Sequence, residues 1–279
     1  MQNVFLVTLF ISGACLGSFV CCQVRRLHFR IAKPKNKKTL GPRSVCLSCH
    51  HQLKWYDNIP IISWLLLRGK CRYCHHKIGC AEVLSEIGLS LGILVLGSTI
   101  NVENAPPLVL VNFVVILLFT LAIWFLAIYD GIYGELPVVI LYSSIFIAVI
   151  HLIIQEVIML SAGPFTTANV TNPVLSVLIL GGLYLFLYLI SKGKWVGDGD
   201  WLLATAIGIV LFHPWLAINT LFFANLIACV VMLPLIRNKK THHIHLGPFL
   251  VAGFLIIYST SNLCLSLIGA SYSATRLVI

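Results

Sequence analysis

Pro107-Leu-Val-Leu-Val-Asn-Phe-Val-Val-Ile-Leu-Leu-Phe-Thr-Leu-Ala-Ile-Trp-Phe-Leu-Ala-Ile-Tyr129 runs without a charge until it meets Asp130-Gly-Ile-Tyr-Gly-Glu135-Leu-Pro137. A helix crossing a hydrocarbon core of about 30 Å needs about 20 apolar residues, so this run can span a bilayer with a carboxylate at its mouth. Seven further candidates surround it: Val4 to Cys22, Val83 to Ile100, Pro137 to Leu160, Pro173 to Ser191, Trp201 to Phe212, Trp215 to Ile236 and Leu246 to Ile268. The sixth in chain order, from Trp201, is short, and His213-Pro214 predicts a tight turn between it and the seventh. Over the whole chain 59% of residues are apolar and 10% are charged. A soluble domain carries about 25% charged residues, which excludes an ordinary water-soluble globule.

The distribution of the basic residues says more than the net charge of +10. Thirteen of the 19 Lys and Arg residues lie between Arg25 and Lys77. The first apolar run lacks a preceding positive region and is followed directly by Arg25 and Arg26, so it reads as a retained anchor rather than a cleaved signal. With the N-terminus outside, the segments 23–82, 130–136, 192–200 and 237–245 are cytoplasmic and hold 18 of the 19 bases, leaving Arg276 outside. That is the positive-inside pattern. Anionic lipid and topology account for these bases, so nucleic acid is not an expected partner.

Within the basic segment stand Cys46-Leu-Ser-Cys49 and, after 21 residues, Cys71-Arg-Tyr-Cys74. Two such knuckles can give four thiolates to a tetrahedral structural zinc, which would help fold a small loop with little core of its own. Reduced or redox-active thiols without metal are the alternative, and His50, His51, His75 and His76 could substitute as ligands. The stretch Trp55-Tyr-Asp-Asn-Ile-Pro-Ile-Ile-Ser-Trp64 is too short to span, and either lies at the membrane interface or packs over the cysteines.

All four aspartates fall in the segments assigned to the cytoplasm; Asp130 ends one span, while Asp198 and Asp200, in Gly197-Asp198-Gly199-Asp200, precede another. Ionised groups near the hydrocarbon edge are costly unless they face water or a partner, so these are functional candidates. Two carboxylates sharing a proton can hydrolyse a peptide, one activating water and the other polarising the carbonyl. The same pairing also serves proton- or metal-coupled transporters. No Gly-x-Ser-x-Gly elbow and no His-Glu-x-x-His helix occurs, so a serine hydrolase or a zinc protease fits worse.

Taken together, Gly17-Ser18-Phe19, Pro42-Arg43-Ser44, the Trp55–Trp64 stretch, Gly69-Lys70-Cys71-Arg72, Cys74, Glu82, Asp130 with Pro137 seven residues on, Gly197-x-Gly199-Asp200 and Gly247-Pro248-Phe249 resemble the type IV prepilin leader peptidases. The likeness extends to their competence-pseudopilin processing members in Gram-positive bacteria, and it covers nearly the whole chain. It implies an eight-span aspartyl endopeptidase with Asp130 and Asp200 as the dyad. Such an enzyme cleaves the leader of a prepilin or pseudopilin on the cytoplasmic side, after a Gly. Many members also methylate the new N-terminus with S-adenosylmethionine, an activity linked to the cysteine-bearing loop. The chain departs from the pattern at Asp198, where the family has an apolar residue, and at Trp201-Leu202, where it has Val-Lys. Asp198 therefore competes with Asp200 for the second catalytic place.

The expected protein is an all-α, multi-pass bacterial cell-membrane protein of about eight transmembrane helices with a small zinc-binding cytoplasmic domain between the first two. Residues 1–22 form the first helix, 23–82 the cysteine loop and 83–279 the seven-helix peptidase core. Glu82 and Glu86, one turn apart, share a face and could line a cavity, with Glu82 bearing on substrate or cofactor by resemblance. Glu135 is expected to meet solvent or headgroups, His242, His243 and His245 to decorate a cytoplasmic turn, and Gly181-Gly182 to allow close helix contact.

Overall fold

The computed structural model describes residues 2–32, 44–46, 48–103, 105–164, 166–237 and 245–261. Pro42, Arg43, Lys239, Lys240, His242, His243, Arg276 and the last residues of the eighth expected span lie outside them. The chain forms two compact units, Met1–Gly97 and Ser98–Ile279. Among the described residues all regular structure is helical, apart from isolated bridges between Val45 and Gln52 and between Lys70 and Lys77.

The first unit is built on α1 (Gln2–Ala32) and α3 (Cys80–Ser98), with the short helix α2 (Ile62–Leu66) in the loop between them. Gly13 and Gly17 lie one turn apart on α1. A Cβ at Gly17 would come within 2.7 Å of Glu86 Cα and of the Ser85 carbonyl oxygen, and one at Gly13 within 2.7 Å of Ser90 Cα. The missing side chains let two backbones meet where lipid supplies no hydrophobic drive for helix association. Ser85 Oγ fixes the contact by donating to the Gly17 carbonyl at 3.0 Å.

The second unit comprises α4 (Pro107–Tyr133), α5 (Val138–Ala162), α6 (Thr167–Val177), α7 (Leu183–Ser191), α8 (Asp198–Leu211), α9 (Pro214–Arg237) and α10 (Gly247–Ser259). A π-helical turn at Leu178–Gly182 joins α6 to α7 in one rod. The 14-residue α8 is largely enclosed, burying Leu203, Ala204, Ala206, Ile207, Gly208, Val210 and Leu211. Its close neighbour is the α6–α7 rod: a Cβ on Gly181 would strike Thr205, and one on Gly208 would meet Val177 Cα at 3.0 Å. Gly182, by contrast, faces only Leu178 of its own rod.

Among the described residues six helices are long and apolar enough to cross a membrane: Gln2–Ile31, Cys80–Ser98, Pro107–Tyr133, Val138–Ser161, Thr167–Ser191 and Pro214–Leu233. With α8 and α10 they follow the order of the eight apolar runs. Their outward faces carry Val4, Val7 and Ile11 on α1, Val111, Val114 and Leu118 on α4, and Val139, Tyr142, Phe146 and Ile153 on α5. Large side chains exposed at helical spacing form a surface that lipid, not water, is suited to cover.

Two of the described boundaries differ from the expected ones by more than about one helical turn. Helix α1 continues past Cys22 to Ala32, carrying Arg25, Arg26 and Arg30, because arginine favours a helix and hydropathy marks the edge of the membrane rather than the end of the helix. Helix α6 begins at Thr167, before Pro173, its start reinforced by Thr166 Oγ1 donating to Asn169 Oδ1 at 2.6 Å.

Candidate active site and cysteine centre

At one end of the second unit a cavity of about 1050 Å³ is lined by the α4–α5 turn, the α7–α8 turn and the start of α10. Asp130 and Asp200 both line it. Asp130 belongs to the last turn of α4, which closes on Gly134: at φ +71 that glycine takes the left-handed conformation and returns its N–H to the Asp130 carbonyl at 2.8 Å. Asp130 is 5% exposed, and its carboxylate accepts the Gly247 N–H on Oδ2 at 2.9 Å. His245 Nδ1 stands 3.6 Å from its Oδ1. Gly247 is required here, since a Cβ would lie 2.8 Å from Asp130 Oδ2.

Asp200 sits in the first turn of α8, ahead of the apolar sequence that begins at Trp201, and is 8% exposed. Its Oδ2 accepts the Gly197 N–H at 3.0 Å, satisfying a donor at the helix start. Burial first, and the charge of Asp130 second, push the Asp200 carboxyl up to about 6, against the opposing pull of the Gly197 N–H and His245. The intervening Gly199 lies so close to Leu136 that a Cβ would come within 2.6 Å of that side chain. Asp198 is exposed and accepts a hydrogen bond from Trp201 Nε1 at 3.3 Å. The structure thus places both expected aspartates on one cavity and turns Asp198 outward on its rim.

His245 lies in the non-helical segment before α10, as expected, and its ring also faces Asp130, a contact the sequence did not show. Glu135, Lys194 and Trp195 also line the cavity. The available signal was Gly247-Pro248: a glycine needed for close backbone approach marks a place where something else must fit.

In the first unit the four thiols of Cys46, Cys49, Cys71 and Cys74 lie within 4.8 Å of one another. Each pair is held by the same turn. Cys46 N donates to the His51 carbonyl at 3.0 Å and His50 N to the Cys46 carbonyl at 2.9 Å; Cys71 N donates to the His76 carbonyl at 2.9 Å and His75 N to the Cys71 carbonyl at 3.0 Å. His50 at φ 56 and His75 at φ 55 occupy the left-handed turn positions, so the histidines shape the knuckles while the sulfurs converge. Cys46 Sγ and Cys74 Sγ are 3.8 Å apart. A tetrahedral ion with sulfur ligands at about 2.3 Å requires an edge of about 3.8 Å, so the donor set fits zinc.

The aromatic stretch packs beside this centre through Asp57, which accepts Arg72 Nε at 2.7 Å, Lys54 N at 3.1 Å and Tyr73 Oη at 3.2 Å. Burial acts to raise the Asp57 carboxyl, but those donors outweigh it and hold the group below the usual carboxylate range. Trp55, Leu65 and Leu66 remain exposed on the outside. Glu82 pairs with Arg25 at 2.5 Å, and both line a cavity of about 520 Å³. Glu86 instead accepts the N–H of Ile61 at 2.7 Å, steadying a β-branched residue held at φ 63.

Residues 11–100 match the family described as Bacterial Peptidase A24 N-terminal domain. The chain is similar to a prepilin leader peptidase/N-methyltransferase of Myxococcus xanthus, 38% identical over 41% of this chain and 33% of that protein. It is similar to one of Vibrio cholerae, 36% identical over 31% of this chain and 35% of that protein. A type 4 prepilin-like proteins leader peptide-processing enzyme of Escherichia coli is 27% identical over 85% of this chain and 83% of its own length. The first two matches thus span about a third of those relatives. No solved structure matches the chain.

Proposed function

We propose that this chain, similar to prepilin leader peptidases, is a member of that family and an aspartyl endopeptidase that removes the leader of a prepilin or pseudopilin at the cytoplasmic face of the bacterial membrane. The observation that carries the reading is the convergence of Asp130 from α4 and Asp200 from α8 on one cavity, both largely buried. The ionised carboxylate takes a proton from water as the water oxygen bonds to the scissile carbonyl carbon, and the protonated carboxyl gives its proton to the carbonyl oxygen. On collapse the proton gained from water passes to the leaving amine, the C–N bond breaks, and the second carboxyl recovers its proton. Proton-coupled transport, the rival reading, places its acids near the bilayer midplane; these lie in the last turn of one helix and the first of another.

The cysteine centre of Cys46, Cys49, Cys71 and Cys74 holds zinc as a structural ion. With four thiolates it has no open position for hydrolysis, so no catalytic step is assigned to it. S-adenosylmethionine enters as a second substrate, donating a methyl group to the new N-terminus.

The test is incubation of the purified protein with a synthetic prepilin and mass analysis of the product N-terminus, which reports cleavage and methylation together. Asp130→Asn and Asp200→Asn should each lower cleavage by about a hundredfold or more, the scale of a lost general acid or base. Cleavage at the wild-type rate by either variant removes that residue from the dyad.

A further inference from the structure

A carboxylate pair that shares one proton needs a reason for the proton to reside on one side. Here the two sides are built differently. Asp200 receives one N–H, from Gly197 in its own helical turn. Asp130 is approached on both oxygens by the segment that opens α10: Gly247 N donates to Oδ2, and the His245 imidazole stands 3.6 Å from Oδ1. At that distance the histidine contact is one of charge rather than a hydrogen bond. The ring is also seated. A Cβ on Gly134, the residue that ends α4, would lie 2.8 Å from His245 Cε1, so the glycine leaves the space in which the imidazole rests.

Among the described residues, the charged and titratable groups around it are Asp130, Tyr133 and Glu135 from α4 and the turn after it, Lys194 from the α7–α8 turn, and Asp198 and Asp200 from α8. Among the described residues lining the cavity, acids outnumber bases.

We infer that His245 is a positioning residue for the dyad: as imidazolium it holds Asp130 in the ionised form and leaves the shared proton on Asp200. The inference rests on the peptidase reading above and assigns its roles. Asp130 is then the base that takes the proton from water, and Asp200 the acid that protonates the carbonyl oxygen. His245 acts through Asp130 and moves no proton of its own.

The experiment measures kcat/KM of the purified full chain on a synthetic prepilin across the pH range, for wild type, His245→Gln, His245→Asn, His245→Arg, Asp130→Asn and Asp200→Asn. Using both neutral variants keeps the test open if one fails to fold. The neutral variants should move the acidic limb of the profile upward by about 0.5–1 pH unit, the effect of removing a partly exposed neighbouring cation. His245→Arg should restore it. An unmoved limb in the neutral variants overturns the inference, as does an equal loss at every pH that arginine does not rescue. If Asp130→Asn still cleaves, the dyad reading itself falls; if that variant is silent while the neutral variants keep the wild-type limb, only the role of His245 falls.

Discussion

Two aspartates separated by one glycine, Asp198 and Asp200, meet different surroundings because a helix turns about 100° per residue. Two positions carry the side chain from the exposed rim at Asp198 to the enclosed wall at Asp200. A role as acid suits Asp200, whose carboxyl is raised to about 6 by burial and by Asp130. It holds its proton below that value and loses it above, so kcat/KM of the free enzyme should fall as pH rises through about 6. A pH–rate profile on a synthetic prepilin checks this, and a rate unchanged from pH 5 to pH 8 would exclude Asp200 as the acid. Asp198→Asn should leave cleavage within a few-fold of wild type, since its carboxylate faces solvent and Trp201. The place of Asp130 and Asp200 on a cavity was legible in the sequence because acids at the ends of apolar runs need a wet partner. The contact of His245 with Asp130 was not, because 115 positions separate them and no periodicity links a loop to a helix end.

At the level of elements, the contact between α1 and α3 depends on absent side chains. Gly17→Leu would drive a side chain into Glu86 Cα and the Ser85 carbonyl, backbone-level obstacles that cannot rotate away. Overpacking of this kind costs about 1–3 kcal/mol or more. The expected outcome is a lower unfolding temperature in detergent, against an unaltered value for Gly163→Ala, where nothing lies within 4 Å. The cysteine knuckles give a second element-scale prediction. Cys46→Ser with Cys71→Ser removes one sulfur from each turn and should abolish stoichiometric zinc, measured by elemental analysis, while cleavage of a prepilin persists. Metal content equal to wild type would refute the four-thiolate site. The spacing of Cys46, Cys49, Cys71 and Cys74 made this centre readable, because the turn that presents two thiolates is local in sequence. The choice between cysteine and histidine ligands was not readable, since it depends on the positive φ of His50 and His75.

For the whole molecule, the apolar runs revealed the order of the helical rods among the described residues. They did not reveal the further turns of α1 or the π-helical joint at Leu178–Gly182, because neither changes hydropathy. The positive-inside pattern makes an orientation testable. Reporter fusions at Lys194 and within 23–82 should read as cytoplasmic, and a fusion at Pro164 as external; the reverse result would move the dyad to the other face of the membrane. Finally, the brevity of α8 bears on how water arrives. Its 14 residues make a rod of about 21 Å, some 9 Å less than the oily layer of about 30 Å. Placed at the Asp200 end, the shortfall coincides with the cavity, a hollow in the helical bundle that needs no deformation of the lipid. The scissile amide can meet its nucleophile in that hollow, with the hydrophobic helix of the precursor still immersed.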